Sequence, residues 1–184
     1  LRTAEAIIDL AGGTPDPNAR PGLMSIQTAL SALDRLEVRG GDSAGIEVFV
    51  ANHNLPASAL EGSRFKDLIL RSGAIRDCGT HIAFVYKNAA EIGDLGDNSK
   101  VIRAAIRRDE VLREALLSPE STVTVLGHTR WASVGVISEA NAHPVDSQEA
   151  THGDEHYVSA VLNGDIDNYM DLTELAKLDI PAEI

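Results

Sequence analysis

The chain has 184 residues, 43% of them hydrophobic, and a formal net charge of −12 at pH 7. That length suits one domain with a sizeable core, and the acidic balance excludes a nucleic-acid surface, which needs clustered Lys and Arg. No apolar run approaches the ~20 residues of a membrane span, no charged-then-apolar leader opens the chain, and the single Cys78 has no partner for an internal disulfide. A soluble protein of the reducing cytoplasm is the expectation.

Residues 1–11 read as a helix with Ala4, Ile7, Ile8 and Ala11 on one face and Gly12-Gly13 as its stop. Residues 12–23, rich in Pro and Gly, read as a loop. Ser25 is placed to cap a second helix, in which Ile26, Leu30, Leu33 and Leu36 recur at helical spacing. A tight connection follows at Arg39-Gly40-Gly41-Asp42-Ser43, where paired glycines allow unusual backbone angles or close approach of another group. Ile46, Val48 and Val50 then alternate with Glu47 and Phe49 as in a strand, which Asn52-His53-Asn54 breaks.

Phe65, Leu68, Ile69 and Leu70 suggest a short helix, and residues 80–87 another strand. Asn98 or Ser99 is placed to cap a long helix carrying Ile102, Ala105, Ile106, Val111, Leu112 and Leu116, with Arg103, Arg107 and Arg108 on its wet face. Residues 121–126 alternate polar and apolar and run into Gly127-His-Thr-Arg-Trp131. Residues 132–155 read as irregular, 156–162 as a strand ending at Asn163-Gly164, and Asn168 as the cap of a last helix with Tyr169, Leu172, Leu175 and Leu178. Alternating strands without strict β-α-β order indicate antiparallel sheets covered by helices, an α+β fold.

Several residues have two readings at this level. Asn163-Gly164 is either a hairpin turn or an oxyanion hole, in which an Asn amide and a neighbouring N–H donate to a developing negative oxygen. Arg130 is either half of a surface ion pair or a bidentate clamp on a carboxylate. Trp131 is either core or the wall of a ligand site. Cys78, with only Arg76 and His81 nearby as activators, reads as structural. His152-Gly-Asp-Glu-His156 is not the helical zinc order and reads as a polar loop; no phosphate-cradling Gly loop is present, so no metal and no cofactor is expected.

Four motifs share a pattern: Arg39-Gly-Gly-Asp-Ser-Ala-Gly45, Gly127-His-Thr-Arg-Trp-Ala-Ser133, Ser138-Glu-Ala-Asn-Ala-His-Pro144 and Leu162-Asn-Gly-Asp-Ile-Asp-Asn-Tyr169. In order and context they resemble the glutaminase domain of the glucosamine-6-phosphate synthase family, and more broadly the class II, N-terminal-nucleophile (Ntn) glutamine amidotransferases. The match runs from about residue 25 to residue 178 and is weakest from Asn52 to Ser121.

The resemblance implies an Ntn-hydrolase αββα sandwich, two antiparallel sheets between helix layers, spanning residues 1–184 as an incomplete amidotransferase domain. It implies that Arg130 binds the α-carboxylate of glutamine, that Asn163 and Gly164 form the oxyanion hole, and that Trp131 lines the site and gates a channel mouth. Ser133 would add a hydroxyl contact, and Arg39 would support the nucleophile end. The implied partners are glutamine, a sugar-phosphate isomerase domain of the same full-length protein that takes the ammonia to fructose 6-phosphate, and a second copy in a homodimer.

The departures are specific. The family opens with its nucleophilic cysteine, whereas this chain opens Leu1-Arg2-Thr3, so the chain alone is expected to be inactive. Residues 12–23 look like an insertion. Ser133, Val134 and Gly41 stand where Thr, His and Tyr are usual in the family. Two alternatives stay open: the glutaminase domain of a different class II amidotransferase, or a non-catalytic glutamine-binding module without the nucleophile.

Overall fold

A computed structural model of the chain describes residues 2–62, 64, 70–90, 94–131, 136–147 and 156–177, the side chain of Arg39 excepted. In order the elements are α1 (Arg2–Ala11), α2 (Arg20–Leu36), a 3-10 turn (Glu37–Arg39), β1 (Ser43–Ala51), a 3-10 turn (Ala57–Leu60), β2 (Ile75–Asp77), β3 (His81–Ala89), α3 (Asp97–Arg108), α4 (Glu110–Ala115), β4 (Thr122–Arg130), β5 (Val145–Asp146), β6 (Ser159–Ala160) and α5 (Tyr169–Ala176). The fold is α+β: a four-stranded antiparallel sheet in the order β2-β3-β1-β4, a small β5-β6 sheet, and helices.

The main core lies between the four-stranded sheet and α1, α2 and α3. Alternate residues Ala44, Ile46, Val48 and Val50 of β1 and Ile82, Phe84 and Tyr86 of β3 meet Leu23, Ile26, Leu30 and Leu33 of α2 and Ile102 and Ile106 of α3. The opposite set on these strands (Glu47, Phe49, Val85, Lys87) faces away from the helices. It is nevertheless largely buried, because β5, β6 and the segments around them cover that side.

Local sequence explains most of the boundaries, and several differ from expectation. The second helix starts at Arg20, with Pro21 in its first turn, so the loop is shorter than 12–23. Proline is tolerated there because a first-turn N–H has no partner in any case. Ser25 is therefore inside the helix, its hydroxyl donating to the Pro21 carbonyl at 3.3 Å. In α1 the inner residues are Ile7 and Leu10, with Ile8 turned to solvent.

The expected long helix is broken at Asp109, whose backbone is extended and whose carboxylate caps α4 by accepting from Leu112 N–H at 3.1 Å. Helix α3 begins at Asp97, so Asn98 and Ser99 are not its cap. They are buried inside it, and Glu37 accepts from Gly96 N–H at 2.6 Å and Ser99 N–H at 3.3 Å instead. Strand β4 is longer than 121–126 and includes His128-Thr-Arg130. The expected strand at 156–162 is reduced to Ser159–Ala160, and the 132–155 stretch contributes β5. Asn168 makes no side-chain cap to α5, whose described residues are all at least partly exposed, Leu175 at 82%. Phe65, Leu68, Ile69, His152 and Leu178 lie outside the described residues.

Among the described residues no helix is long and apolar enough to cross a membrane, and no group of three His, Cys, Asp or Glu is placed to hold a metal ion.

Candidate functional site

The four motifs meet at the end of β1 and β4, on the sheet face away from the main helices. Register does the first part. Ser43 pairs with Arg130 and Gly45 with His128, so the Arg39–Gly45 and Gly127–Trp131 motifs lie side by side. Asp42 N–H donates to the Arg130 carbonyl at 3.2 Å. Gly40 meets the same strand end: a Cβ there would stand 3.0 Å from Arg130 C and 3.1 Å from Trp131 N. Its φ of −170° is ordinary extended backbone, so this glycine serves close approach rather than an unusual angle.

The third motif packs across β1. A Cβ on Gly45 would lie 2.2 Å from the His143 carbonyl oxygen, so only glycine lets the Asn-Ala-His-Pro turn sit there. The ring of His143 lies against that of His128, centroids 4.8 Å apart. Arg130 Nη1 donates to the Asn141 carbonyl at 3.1 Å, tying the strand end to the same turn. The fourth motif is reached through His143, whose Nδ1 accepts from Leu162 N–H at 3.2 Å. Leu162 immediately precedes Asn163-Gly164.

The electrostatics are those of a partly dry, cationic corner. Burial, then the charges of His128, Arg130 and Lys87, hold His143 down at about 4, so its imidazole is neutral at pH 7. Burial and Arg130 lower His128 in the same direction. Beside this corner, Glu47 is fully buried, accepts from the hydroxyls of Tyr157 and Ser159, and is raised chiefly by burial. A buried ion pair, Arg76 Nε to Asp146 Oδ2 at 2.8 Å, joins β2 to β5.

Of the residues singled out from sequence, Arg130 stands at the centre of this corner, partly buried. Trp131 follows it with 73% of its surface exposed, so it is not core. Asn163 and Gly164 are exposed, and Gly164 has φ +145°, which favours glycine. They lead from β6 into α5 rather than into a paired strand, so they are not a hairpin turn. Arg39 closes the turn before Gly40, but its side chain, like the whole of Ser133, lies outside the described residues. Cys78 is a poor nucleophile: burial first, then Glu47 and Asp77, push its thiol up to about 12.

Sequence reasoning missed the second-face residues Glu47, Lys87, His128, His143, Tyr157 and Ser159. Glu47 and Phe49 read only as the alternate positions of a strand; a large apolar residue in that set was the available sign that a second layer covers it. The cavities found on the helix side share no residue with the motifs. One of about 530 Å³ between α1 and α3 is lined by Asp9, Arg103, Arg107 and Arg108, and one of about 100 Å³ by Leu10, Ala19, Leu23 and Leu116.

The chain is similar over about four-fifths of its length to curated proteins named glutamine–fructose-6-phosphate aminotransferase (isomerizing). That of Geobacillus kaustophilus is 30% identical over 156 residues, covering 84% of this chain and 16% of the relative. That of Vibrio parahaemolyticus is 31% identical over 146 residues, 79% of this chain and 15% of the relative. That of Streptococcus agalactiae serotype III is 36% identical over 87 residues, 47% of this chain and 13% of the relative. The chain thus spans only about one sixth of the length of these relatives. No family model and no solved structure matches it. The resemblance read from the four motifs is borne out, these names support a glutamine amidotransferase domain, and the alternatives left open from sequence are not favoured.

Proposed function

We propose that the corner built by the four motifs binds glutamine and hydrolyses its side-chain amide to glutamate and ammonia. The observation that carries this reading is a chain of two bonds, Arg130 to the turn that holds His143 and His143 to Leu162, the residue before Asn163-Gly164, in a chain similar to proteins named glutamine–fructose-6-phosphate aminotransferase.

In this reading the Arg130 guanidinium, held through Asn141, clamps the α-carboxylate of glutamine. Neutral His128 and His143 add shape and hydrogen-bonding capacity without a competing cation. Asn163 Nδ2 and Gly164 N–H donate to the amide oxygen as it becomes negative in the tetrahedral intermediate. Trp131, exposed at the end of β4, folds over the bound substrate and the exit of ammonia, Ser133 adds a hydroxyl contact, and Arg39 supports the nucleophile. The nucleophile is the family's N-terminal cysteine, which is not among the 184 residues. Its sulfur attacks the amide carbon, ammonia leaves with a proton from the α-amine, and water cleaves the thioester to glutamate.

The finer fold is the αββα sandwich, of which the four-stranded sheet is one central layer and β5-β6 the start of the other. We further propose transfer of ammonia to fructose 6-phosphate by a separate isomerase domain, in a cytoplasmic homodimer. The test is glutamate release from glutamine by the full-length protein. Asn163→Ala should lower kcat by about 100-fold with KM little changed, as loss of one oxyanion donor does. Undiminished turnover in that variant would remove the oxyanion assignment.

A further inference from the structure

Glu47 lies mid-way along β1 and is fully buried. Both of its carboxylate oxygens are taken: Tyr157 Oη donates to Oε1, and Ser159 Oγ donates to Oε2. The Tyr157 ring also meets Phe49 edge-on, centroids 6.3 Å apart. Tyr157 and Ser159 are alternate residues, so both point inward from the strand that leads to Asn163-Gly164, while Val158 between them is 59% exposed. From Ser159 the chain runs directly to Leu162, held by His143.

A buried carboxylate is a costly way to fill a core, and an apolar residue would do so more cheaply. What the carboxylate adds is direction. Two charge-assisted hydrogen bonds fix both the depth and the register of the strand laid across β1, where apolar contact would allow slippage. That matters here because β6 is only two residues long, and so short a ladder holds position weakly. The Arg76–Asp146 pair moors the partner strand β5, and Glu47 grips the strand that carries the site from the centre of β1.

We infer that Glu47 is a positioning residue for the Asn163-Gly164 element: through Tyr157 and Ser159 it moors the preceding strand to the centre of β1, and so sets where the two donors stand. Its consequence for turnover rests on the glutaminase reading; the mooring does not.

The test reads amide hydrogen exchange over residues 157–164, together with glutamine turnover, in the full-length protein and its Glu47→Ala, Glu47→Gln and Tyr157→Phe variants. In Glu47→Ala, exchange over 157–164 should quicken at least ~10-fold while β3 stays protected, because bonds to a charged group are lost. In the same variant kcat should fall by at least ~10-fold with KM within about twofold, the sign of a group that acts on the transition state through another. Glu47→Gln keeps the size, accepts from one hydroxyl and donates to the other, and should restore most of both. Tyr157→Phe, which leaves the carboxylate in place, should loosen the same segment to a smaller degree. Unchanged exchange over 157–164 in Glu47→Ala, equal loosening of β1 and β3, or no rescue by Gln overturns the inference. If the unmodified protein releases no glutamate, the glutaminase reading fails, and the exchange pattern still decides the role of Glu47.

Discussion

Leu162 N–H donates to His143 Nδ1 at 3.2 Å, and this one bond joins two motifs nineteen residues apart. It requires a neutral His143, since a protonated Nδ1 accepts nothing. Burial and the neighbouring cationic groups supply that neutrality. Replacing His143 with Ala should cost about 1–2 kcal/mol of stability, from the lost bond and the lost packing on His128. Urea unfolding measures the cost, and exchange of the Leu162 amide should quicken in step.

The pH dependence follows from the same group. His143 titrates at about 4 in the fold, below its ordinary value of 6.5. Between these values the unfolded chain takes up a proton that the folded one refuses. Stability from this source is therefore complete above about 6.5, is lost as pH falls towards about 4, and changes no further below that. Glu47, raised by burial, works in the opposite direction, losing stability as pH rises through its folded value. Comparing unfolding midpoints of the unmodified protein and His143→Gln between pH 7 and 4 isolates the histidine. The two curves should converge as pH falls; parallel curves would contradict a neutral buried His143.

Gly45 should admit no side chain. A Cβ would stand 2.2 Å from the His143 carbonyl oxygen and 3.1 Å from Lys87 Cγ. Gly45→Ala should therefore cost about 1–3 kcal/mol and shift the His143 turn away from Arg130. Thermal unfolding gives the first effect, and weakened glutamine binding at a temperature where the variant is folded gives the second.

Asp109 offers a control away from the site. Its carboxylate accepts from Arg64, Tyr86 and the Leu112 N–H, so Asp109→Ala strands a buried hydroxyl and a half-buried guanidinium. The loss should be about 3–5 kcal/mol of stability, with glutamine affinity unchanged in whatever fraction stays folded. A loss of affinity without a loss of stability would mean that the helix side and the site are coupled.

How much of this was legible in the sequence depends on the range of the force concerned. Helical and strand periodicity in Ile7, Leu30, Ile46 or Ile102 is local, and it placed the main elements. The break at Asp109 was not local. It arises because one carboxylate satisfies a helix start, Arg64 and Tyr86 together, and the last two are far off in sequence. Arg130, Asn163 and Gly164 each had an ordinary second reading, an ion pair and a hairpin turn, and stood out through the four-motif resemblance. His143 and Glu47 did not, since their roles depend on what lies across the sheet. Gly45 was visible as a motif glycine, but only its contact with the His143 carbonyl explains why no other residue fits.

The central claim is that Arg130 anchors glutamine, and calorimetric titration of the full-length protein with glutamine tests it most directly. The account predicts saturable binding that weakens by about 30- to 150-fold in Arg130→Ala, corresponding to the ~2–3 kcal/mol of a charge-assisted clamp, with the unfolding temperature little altered. Equal glutamine affinity in the two proteins would contradict it.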